Sequence, residues 1–136
     1  MDTEQARYNM IEQQIRTWDV LDQRVLDLVS RVHREHYVPE KYRDVAFADL
    51  RIPLDDHNSM MEPKLEARIL QSLNIQPDDR VLEIGTGSGY LTACLADLAD
   101  SVVSYDIDES LSKQAGHRLA EHDHENVSLR IGDAMG

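Results

Sequence analysis

The chain has 136 residues, of which 41% are hydrophobic and 29% charged, which suits one folded domain with a packed core. Its 26 acidic residues against 14 Lys and Arg give a formal charge of −12, disfavouring sequence-independent binding to nucleic acid or anionic membranes, which draws on clustered basic residues. A single cysteine, no run long enough for a membrane span, and a first stretch without the basic and apolar regions of a secretion signal lead to an expected cytoplasmic location.

Residues 3–18 are polar and helix-favouring, with Met10, Ile11, Ile15 and Trp18 as an apolar stripe. Asp22 is placed to cap a second helix, whose Val25, Leu28, Val29 and Val32 fall on one face. Val38-Pro39 interrupts that pattern, and Pro39 suits the start of a short helix through Tyr42. Residues 48–61 read as a loop. Pro63 fits the first turn of a third helix, with Leu65, Ile69, Leu70 and Leu73 as its buried face and Asn74 at its end. After a turn over 76–79, residues 80–84 read as a buried strand. A helix over Leu91, Leu95 and Leu98 follows, then a strand over 102–105 ending at Asp106. Asp108 can cap a helix carrying Leu111, Ala115 and Leu119, and 127–131 form a third strand. The order predicts a helical region over 1–75, then a parallel sheet with right-handed crossovers over 76–136.

The first 84 residues contain no glycine, whereas Gly85, Gly87 and Gly89 crowd one strand-to-helix turn in Glu83-Ile84-Gly85-Thr86-Gly87-Ser88-Gly89. Such a turn is where open parallel sheets bind nucleotide-like ligands, because missing Cβ atoms let the ligand approach the backbone. The spacing is G-x-G-x-G, so the dinucleotide pattern G-x-G-x-x-G is not met, and no Gly-Lys-Ser or Gly-Lys-Thr follows to hold a triphosphate. What remains is a ligand with an adenosine and no pyrophosphate, which S-adenosylmethionine fits. Asp106 closes the second strand 21 positions after Gly85, about where an acidic residue accepts from ribose hydroxyls. Asp133, at the end of the third strand, would face the same crevice.

These residues resemble the class I S-adenosylmethionine-dependent methyltransferases. The segments Met10-Ile11-Glu12-Gln13-Gln14-Ile15, Arg31-Val32-His33-Arg34-Glu35-His36-Tyr37-Val38-Pro39-Glu40, Ala46-Phe47-Ala48-Asp49 and Ile52-Pro53-Leu54 narrow the resemblance to the protein-L-isoaspartate O-methyltransferase family. The resemblance implies an α/β fold: N-terminal helices, then a Rossmann-like parallel sheet holding strands 1–3 of that fold in the order 3-2-1, its later strands lying outside these 136 residues. It implies S-adenosylmethionine as cofactor, with Glu83, Gly85 and Gly87 at the methionine end, Thr86 and Gly89 completing the loop, Asp106 on the ribose, and Asp133 with Ala134 at the adenine. It further implies methyl transfer to a carboxylate of isoaspartyl residues in a protein or peptide. Where the family carries a Thr-Ile-Ser motif before a proline, this chain reads Ser59-Met60-Met61-Glu62-Pro63. Met61 takes the serine position and cannot donate a hydrogen bond, so Ser59 is the candidate hydroxyl. The alternative is a catalytically silent relative or fragment that binds cofactor or self-associates through the edge of strand 80–84.

No metal site is expected. His122-Asp123-His124-Glu125 reads as a solvated turn, and His33 and His36 as parts of a structural connection. Cys94 reads as a small buried residue, and Trp18 and Tyr37 as packing residues.

Overall fold

The computed structural model describes residues 2–133, and the chain divides into two compact units, Met1–Asn74 and Ile75–Gly136. The first unit opens with α1 (Thr3–Met10), whose N-cap Asp2 accepts from the Gln5 N–H. The helical path continues as a π-helical segment, Ile11–Ile15, and a 3-10 turn, Arg16–Trp18, and ends at Asp19 with φ +61°. The π segment has a packing consequence: its wider turn brings residues five apart into register, so Met10 and Ile15 are both buried while Ile11 is half-exposed. Trp18 is 40% exposed, with the Lys64 ammonium 4.3 Å from its ring centroid, so it is a surface platform for a cation and not a core residue.

In α2 (Gln23–Arg31) the Asp22 side chain accepts from the Arg24 N–H, and Val25, Leu28, Val29 and the following Val32 are all buried, as the spacing requires. Two 3-10 turns follow, Arg34–Tyr37 and Glu40–Val45, the second capped by Pro39. The stretch expected as a loop carries a short antiparallel hairpin, β1 (Ile52–Pro53) with β2 (Ser59–Met60). Its turn is closed by Asp55, whose carboxylate accepts from the His57 and Asn58 N–H groups; the His57 bond in particular holds this carboxyl below its ordinary range.

The third helix, α3 (Pro63–Leu73), begins at its proline and ends at Asn74 with φ +47°. Its buried face differs from the one expected: Pro63, Glu66, Ala67 and Leu70 are buried, whereas Ile69 is 37% and Leu73 55% exposed. Within that face Glu66 takes a buried place that apolar spacing does not mark, its carboxylate paired with the buried Arg34 guanidinium.

In the second unit β3 (Arg80–Ile84), β4 (Ser101–Asp106) and β5 (Val127–Ile131) form a parallel sheet with β4 in the middle, the 3-2-1 order that the resemblance implied. The crossovers are α4 (Tyr90–Leu98) and α5 (Glu109–Glu121), with Asp108 capping α5 by accepting from the Leu111 N–H. Val102 and Ser104 of β4 are buried, as are Cys94 and Ala93 of α4 and Ala115 of α5. β3 is not the buried strand that its composition suggests: Leu82 is 60% and Ile84 56% exposed, and only Glu83 is buried. It is an edge strand among the described residues, and Leu82 and Ile84 point to the sheet face opposite the crossover helices, whereas Glu83 turns to the helix side.

Candidate functional site

The parallel register ends the three strands side by side, at Ile84, Asp106 and Ile131. The chain leaving each strand is tied to its neighbour: the Gly85 N–H donates to Tyr105 O at 2.7 Å, and the Gly132 N–H to Asp106 O at 2.9 Å. This carboxyl end of a parallel sheet is where α/β folds place their ligands.

Two glycines shape the loop by different means. Gly89 has φ +91°, and a Cβ there would stand 3.1 Å from Ala115 Cβ, so glycine is what lets α5 lie against the loop. Gly85 has φ +96°, and nothing lies within 4 Å of where its Cβ would be, which leaves open space beside the first turn of the loop. Gly87 donates its N–H to Asp106 Oδ2 at 2.9 Å, while Asp106 Oδ1 accepts from the Asp108 N–H at 2.9 Å. Each carboxylate oxygen has more than one lone pair, so both retain acceptor capacity toward a diol.

Beneath the loop lies a buried polar chain. The register sets Glu83 beside Ser104, and the Ser104 hydroxyl donates to Glu83 Oε1 at 2.6 Å. Thr92 of α4 donates to the same oxygen, and the Thr86 and Ser104 hydroxyls are 2.7 Å apart. Since the Ser104 proton is committed to the carboxylate, Thr86 is the donor in that last pair. Arg118 of α5 completes the frame by donating to Ser88 O at 2.9 Å. Thr92, Ser104 and Arg118 were not singled out from the sequence. The available signal was a hydroxyl inside an otherwise apolar segment, as in Val102-Val103-Ser104 and Leu91-Thr92-Ala93.

Glu83, Gly85, Thr86, Gly87, Gly89 and Asp106 are thus gathered at the strand ends, and Asp133 follows the third strand in an exposed position. Ala134 lies outside the described residues. Ser59 and Met61 belong to the first unit. Ser59 is exposed on the hairpin and its Oγ accepts from Arg51 Nε at 3.3 Å. The Met61 carbonyl accepts from Arg34 Nη2 at 2.9 Å, and Arg34 Nε donates to Ala46 O at 2.9 Å, so one buried guanidinium anchors two backbone segments and Glu66 together. Burial pushes the Glu66 carboxyl up from its ordinary range, against the opposing pull of Arg34.

A sequence model of the protein-L-isoaspartate(D-aspartate) O-methyltransferase family matches residues 5–136. Among curated relatives, a protein-L-isoaspartate O-methyltransferase of Opitutus terrae is 41% identical over 93% of this chain and 54% of its own length. One from Klebsiella pneumoniae is 40% identical over 93% of this chain and 61% of its own. The chain therefore spans a little over half the length of the curated relatives it matches. A solved protein-L-isoaspartate O-methyltransferase superposes with a TM-score of 0.76 at 22% identity, covering 96% of this chain and 42% of that one. A Plasmodium falciparum structure described as a putative protein-L-isoaspartate O-methyltransferase in complex with S-adenosyl-L-homocysteine superposes with a TM-score of 0.78 at 18% identity, covering 98% of this chain and 64% of that one. At those identities the superpositions speak for the fold.

Proposed function

The chain belongs to the protein-L-isoaspartate(D-aspartate) O-methyltransferase family, and from that premise we propose that it binds S-adenosylmethionine at its glycine loop and serves methyl transfer to isoaspartyl carboxylates of proteins or peptides. The observation that carries the cofactor reading is the Asp106 carboxylate, fixed by the Gly87 and Asp108 N–H groups beside the open space at Gly85. The residues fit the group: Asp106 offers acceptors to the ribose hydroxyls, the Gly85 to Gly89 turn admits a ligand to the backbone, and Asp133, after the third strand, is assigned to the adenine side together with Ala134 of the sequence. The bound cofactor would supply a methyl group made electrophilic by its sulfonium.

The chain's own residues act chiefly by holding position. Glu83 is locked by Thr92 and Ser104, which fixes the strand end from which the loop departs. A carboxylate acceptor is already a nucleophile near neutral pH, so placement and exclusion of water, not a strong base, are what the acceptor site must provide. Ser59 is the hydroxyl we assign to orienting that carboxylate.

A second reading, a silent relative that binds cofactor without transfer, is favoured by Met61 at the family's serine position, where a thioether cannot donate. Calorimetry with S-adenosylmethionine followed by a methyl-transfer assay on an isoaspartyl peptide separates the two. Binding with transfer supports the enzyme, binding without transfer selects the silent relative, and no binding by the folded chain removes both. The edge that β3 forms among the described residues, with Leu82 and Ile84 exposed, supports self-association of this 136-residue chain as part of the same proposal. A concentration-independent monomer in light scattering up to high micromolar would end that part.

A further inference from the structure

The turn after α2 brings three metal-ligating side chains together. His36 donates its N–H to His33 O at 3.0 Å, closing a 3-10 turn in which residues three apart eclipse, and the two imidazole rings stand with centroids 5.4 Å apart. Glu35 lies between them in sequence, and one ligating atom from each of His33, Glu35 and His36 lies within 4.8 Å of the other two. All three side chains are half-buried, so they are held by the fold yet reachable from solvent.

A second observation points to a missing partner. Glu35 Oε2 accepts from Arg7 Nη2, but Glu35 Oε1, also buried, has no hydrogen-bond partner. Arg7 already meets this carboxylate at Oε2, and a buried second oxygen with no hydrogen bond of its own is costly to leave so. We infer that His33, Glu35 and His36 form a binding site for a divalent transition-metal ion of the zinc type, using one nitrogen of each imidazole and one carboxylate oxygen of Glu35.

The donor set selects the ion. Two imidazoles and one carboxylate suit Zn²⁺ or Co²⁺ and leave a coordination position for water, whereas Mg²⁺ and Ca²⁺ favour all-oxygen sites. Metal–ligand bonds of about 2.0–2.1 Å place tetrahedral ligand atoms roughly 3.4 Å apart, so the donors must close by about 1.5 Å at most, within reach of small side-chain rotations. A ligating histidine is usually oriented by a protein partner on its second ring nitrogen. Arg7 does not forbid the cation. It contacts both Glu4 and Glu35, so the three groups carry one net negative charge before any metal arrives. The carboxylate would then bridge Arg7 and the metal, linking α1 to the turn. This inference concerns the first unit alone and stands independently of the cofactor reading.

Titration of the full 136-residue chain with Zn²⁺, and with Co²⁺ followed by visible absorption, tests it. The expected result is one saturable equivalent with Co²⁺ bands of low coordination number, no competition by millimolar Mg²⁺ or Ca²⁺, and at least tenfold weaker binding in H33Q/H36Q. The H122Q/H124Q variant should retain the equivalent. Absence of a one-to-one equivalent overturns the inference, as does its loss in H122Q/H124Q with retention in H33Q/H36Q. Co²⁺-induced paramagnetic broadening in the unsubstituted chain decides the same point without a variant: it should be strongest at the His33 and His36 ring protons, and its centring on any other histidine overturns the site.

Discussion

Gly87 donates its backbone N–H to Asp106 Oδ2 at 2.9 Å, so the residue assigned to the cofactor ribose also fixes the glycine loop. Asp106→Asn removes the charge while keeping one carbonyl acceptor. If Asp106 meets a ribose diol, S-adenosylmethionine should bind the variant with about 1.5–3 kcal/mol less free energy, roughly tenfold to a hundredfold weaker. Calorimetry on the two folded proteins reads this directly, and equal affinities would remove Asp106 from the site.

The two glycines held at positive φ should separate stability from binding. Gly85→Ala places a methyl in open space at φ +96°, so its cost is conformational, about 1–2 kcal/mol, with cofactor affinity also reduced. Gly89→Ala adds a 3.1 Å approach to Ala115 and should lower stability further, by about 1–3 kcal/mol beyond the first effect. Urea unfolding of both variants provides the comparison, and a Gly89→Ala protein as stable as Gly85→Ala would contradict the packing argument.

Arg34 is expected to be among the least replaceable residues of the first unit. Arg34→Met strands the buried Glu66 carboxylate and frees the Met61 and Ala46 carbonyls, a change of the kind that costs about 3–5 kcal/mol. Thermal unfolding should show a large loss. If Ser59 orients the acceptor, Arg34→Lys should also lower methyl transfer through the hairpin that Met61 ends, more than it lowers cofactor affinity.

His124 should give the second unit a pH dependence. Burial holds its imidazole below the ordinary value near 6.5, with Asp97 opposing that shift. Its folded pKa is thus depressed, so the unfolded chain takes up the proton first as pH falls. The associated stability is present above about pH 6.5 and declines as pH drops through that value toward the folded pKa. Replacing His124 with Gln should flatten this part of the stability profile, measured by denaturant midpoint between pH 5 and 7.5.

Much of this fold is legible in local chemistry. Asp22 and Asp108 cap helices because a short side-chain acceptor beside free N–H groups works within a few residues. Pro63 starts α3, and the three strands of the sheet lie where the apolar runs place them, because period and turn chemistry are local properties. The glycine loop and Asp106 are legible for the same reason: the strand ends are set by the alternation of elements, and the acid falls at the end of its strand.

Local chemistry therefore sets the order of elements, the glycine-loop pattern and the family. Which faces are buried and which polar groups meet depends on packing between distant segments. Glu66 is buried in α3 opposite Arg34, 32 positions earlier, because each charge inside the protein needs the other. Glu83 lies under the loop because the parallel register brings Ser104 beside it, and Glu35 comes near both imidazoles because a 3-10 turn folds His36 back over His33. A charge inside a low-dielectric interior is tolerated only with a partner, and partners distant in sequence are found through packing, which no local pattern records.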